Sequence, residues 1–323
     1  MKKNIAVIMG GYSSEYEISI KSGNVVQKHI DTKRYNAYKV HILNHKWFVK
    51  GLNGEEFIID KNDFSTKIND AKIKFDFVFN VIHGSPGEDG KILAYFDLLN
   101  IPYSSAPFYQ MAITFNKRDC LSIAKNYGIK TAISSYINKG DFINPEEIIS
   151  KVGIPCFVKP NNAGSSFGIS KVTTREEFEQ ALETAFKEDS EILIEAFLDG
   201  TEVSVGVIQY KGEVVVLPIT EIVSENDFFD YEAKYLGKSQ EITPARISET
   251  QRENVSKAAK HLYKSLNMSG FSRSEFIFIE DDPYFLEMNT VPGMTEASLL
   301  PQQAGIAGIA IKDLLTDTIQ RNL

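Results

Sequence analysis

The sequence predicts an α/β protein that is divided into more than one domain. Two apolar runs, residues 5–9 and 75–82, each lead through a glycine-rich segment into a stretch with helical patterning, an order typical of α/β folds. Later in the chain, apolar runs separated by turn residues predict hairpins. At 323 residues the chain is too long for one small core, so we expect two or three domains.

Composition and charge argue against several classes of protein. The hydrophobic fraction of 43% and the charged fraction of 24% are ordinary for a globular protein. The net charge of −8 argues against a nucleic-acid partner, because such proteins need a basic surface to displace counterions. Cys120 and Cys156 are too few for a disulfide framework, and residues 5–9 are too short a run for a signal peptide or a membrane span. We therefore expect a cytoplasmic protein without a membrane partner.

The first strand–turn–helix unit carries one acidic candidate. Residues 3–9 predict a buried strand that ends at Gly10 and Gly11, and the serine and glutamate residues that follow can cap a helix running through Val26. The turn lacks the third glycine of a dinucleotide fingerprint. Glu15 lies at the carboxyl end of the strand, where open α/β sheets bind ligands.

The second unit ends in a loop that can approach a ligand closely. Its strand, residues 75–82, is followed by residues 83–90 (HGSPGEDG), in which three glycines lie among polar residues. His83 is either a ligand-binding group or an organiser of the loop, and its spacing alone favours the second role. Residues 92–99 predict a helix, and we place a domain boundary within residues 101–117.

A glycine-serine loop follows a lysine at the end of a short strand. Residues 154–160 predict the strand, which carries Lys159; residues 161–168 (NNAGSSFG) form the loop, and residues 169–172 predict the next strand. The loop lacks the Gly-Lys-Ser/Thr sequence of a Walker P-loop. Its N–H groups and hydroxyls can fold over a polyphosphate. The alternative is a mobile surface turn.

Acids and open backbone follow in the next segment. Strands predicted at residues 191–198 and 203–209 each have an acid at one end, and these acids can accept hydrogen bonds from ribose hydroxyls. The backbone at Ala196 and Leu198 can pair with an adenine edge. Residues 228–237 combine aromatic residues and lysine without strand or helix periodicity, a composition typical of lids.

Two helices are predicted as packing elements. A capping box of Thr174 and Glu177 precedes a helical stripe of apolar residues at 178–186. Residues 248–266 predict a second capped helix. We assign chemistry to neither.

A predicted hairpin near the C-terminus carries the strongest candidate for chemistry. An apolar run, a turn cluster and a return strand lie between residues 275 and 289. If the turn is centred on residue 281 or 282, Glu275 faces Glu287 or Asn289 across the strand pair. Alternation along the return strand places Glu287 on the same face as Phe285 and Asn289.

The acids of this hairpin have two interpretations. Two carboxylates and a carboxamide on apolar strands repel each other and are costly to desolvate unless a cation lies between them. Oxygen ligands suit Mg²⁺ or Mn²⁺, with room left for phosphate oxygens. The alternative is an edge hairpin whose acids face water.

Taken together, five segments in this order resemble the D-alanine–D-alanine ligases of the ATP-grasp superfamily. They are GGYSSE from residue 10, HGSPGEDG from 83, FVKPNNAGSSFG from 157, FFDYEAKY from 228 and LEMNTVPGMTEASLLP from 286. The resemblance implies a three-domain ATP-grasp fold of the α/β (α+β) class. Its parts would be a Rossmann-like N-terminal α/β domain at residues 1–105, a central subdomain with the glycine-serine loop at 106–194, and a C-terminal domain with the lid and metal site at 195–323.

The same resemblance implies the reaction and its cofactors. Two D-alanines would be joined with ATP through an acyl phosphate, for peptidoglycan precursor synthesis, by a homodimer. Two Mg²⁺ or Mn²⁺ ions would be bound by Glu275, Glu287 and Asn289. The residues that would contact ATP are Lys117, Phe157, Lys159, Ser166, Glu195, Ala196, Phe197, Leu198, Glu202, Phe228, Lys234 and Leu286.

The resemblance also assigns the amino-acid sites. Glu15 would bind the ammonium of the first D-alanine, with His83 nearby, and a hydrogen-bond chain would join Glu15, Ser165 and Tyr235. The oxyanion would be stabilised by Arg273 and the N–H of Gly293, and the second carboxylate would be bound by Ser298 and Leu299.

Some positions depart from the family pattern, and rival functions stay open. Glu275 stands where aspartate is usual, and because the extra methylene moves the carboxylate by roughly 1.5 Å, we expect metal binding with an altered geometry. Residues 91–97 and 104–105 also differ. The nearest rival forms D-alanyl-D-lactate or D-alanyl-D-serine, and Tyr235 favours the dipeptide. A rival of another class is a nucleotide-binding regulator without catalysis.

Overall fold

The computed structural model describes residues 2–162, 167–224 and 239–323, and they form a mixed α/β structure on three sheets. The strands of the first sheet are β1 Lys3–Gly10, β2 Tyr35–Ile42, β3 Trp47–Lys50, β4 Glu56–Asp60, β5 Ser65–Ile68, β6 Ala71–Ile73 and β7 Phe77–Asn80. Their order is β6-β5-β4-β3-β2-β1-β7, and β1 pairs in parallel with both β2 and β7.

Strand β1 is buried on both of its faces. Ala6 and Ile8 belong to one apolar cluster, while Ile5, Val7 and Met9 belong to another. A continuous apolar run is what a central parallel strand requires, because helices cover both faces of such a sheet. The adjoining helices are α1 Tyr16–His29, α2 Lys91–Leu98 and α3 Phe108–Phe115.

The second sheet is antiparallel and has its own core. Its strands are β8 Ser134–Asn138, β9 Cys156–Pro160, β10 Ser170–Val172 and β11 Glu191–Ala196, in the order β10-β9-β11-β8. The helices that contribute to this core are α5 Pro145–Val152 and α6 Phe178–Ala185, whereas the buried apolar residues of α4 Lys117–Asn126 belong to the cluster that contains Ala6 and Ile8. Apolar side chains of α6, such as Phe178 and Leu182, pack against β9 and β11 residues, such as Val158 and Ile194.

The third sheet carries the predicted metal hairpin. Its strands are β12 Thr201–Tyr210, β13 Glu213–Val216, β14 Thr220–Ser224, β15 Ser239–Ile242, β16 Phe271–Ile279 and β17 Asp282–Asn289. The order is β15-β14-β12-β16-β17, with β13 paired to β12. The helices are α7 Glu249–Ser265, α8 Leu299–Ile306 and α9 Ile311–Asn322.

The hairpin of β16 and β17 confirms the predicted pairing of Glu275 with Glu287, and it confirms only part of the predicted faces, since Glu287 lies with Asn289 but not with Phe285. Glu275 pairs with Glu287, as expected for a turn at residue 281. A β-bulge shifts the register immediately afterwards, so that Phe276 pairs with Phe285. The prediction that Glu287 shares a face with Phe285 is therefore wrong. Phe285 and Met288, three residues apart, both belong to the core, since a bulge adds one residue to the alternation.

The predicted helix caps have different outcomes. Ser248 caps α7 and accepts a hydrogen bond from the N–H of Gln251 at 3.1 Å, as predicted. The capping box of Thr174 and Glu177 is present, but it begins a short 3-10 turn ahead of α6. The cap predicted for α1 is wrong, because Glu15 at the N-cap position makes no side-chain cap.

The predicted domain ranges stay a proposal. The first sheet lies within residues 1–105 and the third within residues 195–323. The boundary expected after residue 194 falls inside β11, which belongs entirely to the second sheet. Within the described ranges, no helix has the length and apolar character needed to cross a membrane.

We expect His41 to make stability depend on pH. Burial, with smaller effects of Lys50 and Lys39, lowers the pKa of His41 from 6.5 to about 4, and the ring stacks on Phe48. The imidazole of His41 thus binds a proton more readily in the unfolded chain than in the folded protein. The contribution of neutral His41 to the free energy of unfolding is therefore complete above pH 6.5 and is lost as the pH falls towards 4. Denaturant unfolding from pH 7 to 4.5 should show that the free energy of unfolding declines less steeply with falling pH in the His41→Phe variant than in the wild type. An equal dependence on pH in both proteins would contradict this.

Candidate active site

A cleft of about 470 Å³ lies between the N-terminal glycine loops and the third sheet. Side chains from widely separated parts of the sequence line it, which is the arrangement expected of a binding site. The predicted site residues that line the cleft are Glu15, His83, Lys117, Arg273, Glu287, Asn289, Gly293, Ser298 and Leu299.

Two glycine loops hold Glu15 and His83 at one side of the cleft. The hydroxyl of Ser13 donates to the carbonyl of His83 at 2.9 Å, which joins the loops. A Cβ at Gly84 would lie 2.8 Å from the Ser13 side chain, and the φ of Gly84 is +66°, so this contact requires glycine. Burial lowers the pKa of His83, although Glu15 opposes the shift. Among the described residues, the Nε2 atom of His83 has no hydrogen-bond partner.

Glu88 reaches the cleft from the same loop, and sequence reasoning did not select it. Its exposed fraction is 6%, and its Oε2 atom accepts a hydrogen bond from the N–H of Gly84 at 3.1 Å. Burial, with a smaller effect of the Glu15 carboxylate and a still smaller one of Glu287, raises the pKa of Glu88 to about 7. A carboxyl group so perturbed in a cleft is a candidate for function. The available sequence signal was its place in residues 83–90.

The cross-strand carboxylates of the hairpin each have a cation beside them. Glu275 and Glu287 are directly opposite, an arrangement that is unfavourable for like charges. Arg273 forms an ion pair with Glu275 and donates to the Ser204 hydroxyl at 3.1 Å. The Nζ of Lys117 lies 3.4 Å from Oε2 of Glu287. The hairpin therefore concentrates negative charge and partly neutralises it.

Asn289 connects this hairpin to the glycine loop. Its neighbours determine which end of the amide faces which group. The amide nitrogen donates to Oε1 of Glu88 at 3.1 Å, and the amide oxygen accepts from Nη2 of Arg273 at 2.7 Å. The carboxamide thus lies between an acceptor and a donor.

The donor set of Glu275, Glu287 and Asn289 fits a hard divalent cation. All three offer oxygen, the ligand type that Mg²⁺ and Mn²⁺ prefer. Only two of them are acids, and the described ranges contain no group of three or more His, Cys, Asp or Glu residues suited to a metal. A cation here would need further oxygens from water or phosphate. This set suits a metal that binds together with a nucleotide.

Lys159 and Glu195 form a buried ion pair between β9 and β11. Their side chains are 14% and 3% exposed. Burial alone would lower the pKa of Lys159, but the Glu195 carboxylate raises it, so the ammonium stays charged. The Lys159 ammonium is therefore held in place by Glu195 before any phosphate arrives.

The predicted adenine segment leaves only part of its backbone open. The N–H groups of Ala196 and Phe197 already donate to backbone carbonyls, at 2.9 and 3.1 Å. An adenine edge would therefore have to use carbonyl groups or Leu198. The rings of Phe157 and Phe197 lie 6.0 Å apart, and the ammonium of Lys171 lies 4.7 Å from the Phe197 centroid.

Other predicted nucleotide residues lie away from the cleft or outside the described ranges. Glu202 and Leu286 are half-buried on β12 and β17 and do not line the cleft. The predictions that lie outside the described residues concern Ser165, Ser166, Phe228, Lys234 and Tyr235.

At the other side of the cleft, Gly293 packs closely on Ser298. A Cβ at Gly293 would lie 2.6 Å from the Ser298 hydroxyl. That hydroxyl accepts from the N–H of Thr295 at 3.1 Å and lies 2.8 Å from the Thr295 hydroxyl. Ser298 is the N-cap of α8, which begins at Leu299. The positive end of a helix dipole there favours an anion.

Glu241 is a second cleft residue that the sequence did not indicate. It is half-buried on β15, and burial raises its pKa while Arg273 opposes the shift. No turn, glycine or paired acid marks this position in the sequence, so only the folded sheet reveals it.

Comparison with known proteins gives one consistent family. The family model described as "D-ala D-ala ligase N-terminus" matches residues 4–106, and "D-ala D-ala ligase C-terminus" matches residues 123–320. A D-alanine–D-alanine ligase from Flavobacterium johnsoniae is 64% identical over 321 residues, which covers 99% of each chain.

Solved structures agree with this family. The VanG D-Ala:D-Ser ligase from Enterococcus faecalis superposes with a TM-score of 0.87 at 30% identity over 100% of both chains. A D-alanine–D-alanine ligase from Bacillus anthracis complexed with ATP gives a TM-score of 0.79 at 32% identity, covering 99% of this chain and 97% of that one.

We predict that Gly293→Ala destabilises the loop at this side of the cleft. The added methyl would meet the Ser298 hydroxyl at 2.6 Å, and the resulting shift should lower the free energy of unfolding by about 1–3 kcal/mol. Gly305→Ala in α8 is the control, because nothing lies within 4 Å of its Cβ position. Urea denaturation should separate the two variants, and equal stabilities would contradict the close packing.

Proposed function

This chain belongs to the D-alanine–D-alanine ligase family, and we propose that its cleft is where the two amino acids are joined. The protein is an ATP-dependent D-alanine–D-alanine ligase with the ATP-grasp fold, and its dipeptide product serves peptidoglycan synthesis. One observation supports the placement: a single cleft is lined by Glu15, by Arg273, and by Glu287 and Asn289 of the hairpin.

We infer that ATP binds between the second and third sheets with its phosphates towards the hairpin. Lys117 and Lys159 are buried cations suited to phosphate oxygens, and each now lies beside a carboxylate. Binding a phosphate there replaces part of that pairing. Phe157 and Phe197 would contact the base, and Glu202 the ribose.

The metal site is proposed to bind two Mg²⁺ or Mn²⁺ ions through Glu275, Glu287 and Asn289. When bound, such ions would neutralise charge on the transferring phosphoryl group. Arg273 and Lys117 lie beside these carboxylates and already offset part of the hairpin's negative charge.

In the first step, Glu15 binds the ammonium of the first D-alanine and directs its carboxylate towards the phosphates. A carboxylate oxygen bonds to the γ-phosphorus, the bond from that phosphorus to the β–γ bridging oxygen breaks, and ADP leaves. The product is an acyl phosphate. Two anions approach one another in this step, so Lys117 and Lys159 contribute by lowering the repulsion.

In the second step, the amine of the second D-alanine attacks the acyl carbon. Its ammonium has lost one proton to solvent beforehand, and the amine loses a second to the departing phosphate as the C–N bond forms and the bond from the acyl carbon to the phosphate oxygen breaks. Arg273 and the N–H of Gly293 would stabilise the oxyanion, a role worth about 3 kcal/mol per donor. Ser298 and Leu299, at the start of α8, would bind the second carboxylate.

We propose that the enzyme acts in the cytoplasm as a homodimer, with ATP and D-alanine as its small-molecule substrates and with neither nucleic acid nor a membrane as partner. The family resemblance supports these assignments. On the same resemblance we propose a hydrogen-bond chain from Glu15 through Ser165 to Tyr235, and closure of a lid that carries Lys234.

An amino-acid panel tests the activity. The protein is incubated with ATP, Mg²⁺ and D-alanine, alone or with D-lactate or D-serine, and the products are identified by mass spectrometry. We expect phosphate release to require D-alanine and D-alanyl-D-alanine to dominate. A dominant D-alanyl-D-lactate or D-alanyl-D-serine product would support the rival ligases. Phosphate release that ignores D-alanine would contradict a ligase altogether.

We predict that Arg273→Lys lowers kcat by about 10²–10³-fold, because lysine keeps the charge but loses the planar fork that joins Ser204, Glu275 and Asn289. Arg246→Lys is the matched control. The Arg246 side chain is 63% exposed in its pair with Glu221, so kcat should change by no more than about twofold. Comparable losses in steady-state assays of both variants would contradict the special role of Arg273.

A further inference from the structure

We propose that Glu88 orients Asn289 so that its amide oxygen, and not its amide nitrogen, is presented to the metal site. This inference rests on the proposed function, in which Asn289 is a metal ligand. It gives the loop of residues 83–90 a positioning role at the hairpin in addition to its place beside the first amino acid.

A carboxamide that binds a metal needs a neighbouring group that fixes which of its two ends faces the metal. The two ends of the Asn289 side chain are nearly equal in size, but only the oxygen can bind a divalent cation. Rotation by 180° about the last torsion would present an NH₂ group and remove one ligand. Packing alone distinguishes the two ends poorly, so hydrogen bonds must do it.

Glu88 and Arg273 together select one orientation. Oε1 of Glu88 accepts from the amide nitrogen at 3.1 Å, and Nη2 of Arg273 donates to the amide oxygen at 2.7 Å. The reversed amide would place NH₂ against the guanidinium and oxygen against the ionised Glu88 carboxylate. Both contacts would then be repulsive. A bound ligand held by such a partner is the usual design of metal sites.

Glu88 is itself fixed, as an orienting group must be. Its side chain is 6% exposed, and Oε2 accepts from the N–H of Gly84 at 3.1 Å. The backbone N–H of Glu88 donates to the carbonyl of Gly84 at 2.7 Å. Because each carboxylate oxygen already accepts a hydrogen bond, Glu88 acts through Asn289 as a positioning residue.

The two groups come from opposite ends of the chain. Glu88 lies on the loop after β7, and Asn289 ends β17 in the third sheet. The orientation of a metal ligand therefore depends on docking of the N-terminal glycine loop against the hairpin.

A double-mutant cycle tests this proposal with a readout other than activity. Mn²⁺ affinity is measured by the electron paramagnetic resonance signal of free Mn²⁺, with full-length protein and a non-hydrolysable ATP analogue. Glu88→Gln has only one accepting oxygen for the N–H groups of Gly84 and Thr290 and the amide of Asn289, so the Asn289 amide is released or reversed. We expect Mn²⁺ affinity to fall by about 10- to 100-fold.

Asn289→Asp supplies the rescue, because a carboxylate presents an oxygen whichever way it turns. In this background the amide introduced at position 88 can donate to the carboxylate introduced at position 289, so Glu88→Gln should change Mn²⁺ affinity by no more than about twofold. Full additivity of the two substitutions would overturn the proposal, since Glu88 would then act directly or through folding. Wild-type affinity in the Glu88→Gln single variant would overturn it too.

Two controls separate this inference from the proposed function. Glu296→Gln removes an exposed carboxylate from the loop before α8 and should leave Mn²⁺ affinity unchanged. Glu287→Gln should abolish tight Mn²⁺ binding. If it does not, the proposed metal site is wrong, whatever Glu88 does. If it does and Glu88→Gln binds normally, only the positioning role is wrong.

Discussion

The pairing of Glu275 with Glu287 across the hairpin is the constraint on which the site depends. Two carboxylates directly opposite each other are unfavourable, and burial of Glu275 increases the cost. The fold offsets that cost with Arg273 from the same strand and Lys117 from α4. The bulge between Glu275 and Phe276 shifts the strand pairing, so Glu287 lines the cleft while Phe276 and Phe285 stay in the core.

In the proposed nucleotide site, a buried positive charge is paired with a negative one, just as the negative charges of the hairpin are paired with positive ones. The buried ammonium of Lys159 is accompanied by the buried carboxylate of Glu195, since an isolated charge in this position would be lost to neutralisation. The facing carboxylates of the hairpin, and Lys159 and Glu195 of the proposed nucleotide site, are therefore held in ion pairs. When a phosphate or a cation binds, it replaces the partner of a side chain that is already in an ion pair. Before that ligand binds, the site therefore does not have to bury an unpaired charge.

The sequence predicted the elements from local patterns, and the family resemblance carried by its motifs added several of the residues that line the cleft. Apolar runs predicted the strands, and paired glycines marked the turns. The acids of the hairpin stand out against an apolar background. It did not reach Glu88 and Glu241, whose significance lies in burial and in neighbours from distant segments. It also did not indicate the bulge, because strict alternation was expected along the return strand, whereas Phe285 and Met288 of the core lie three residues apart.

The sequence by itself determined the class of fold, the order of its motifs and the family to which they belong. These depend on short-range periodicity and on the types of residue at fixed spacings. Only the tertiary structure decided which charges pair, which groups the two ends of the Asn289 amide contact, and that Ala196 and Phe197 have already used their N–H groups. The reason is physical: hydrogen bonds and burial arise between residues that are far apart in the chain, and no local pattern encodes their distances.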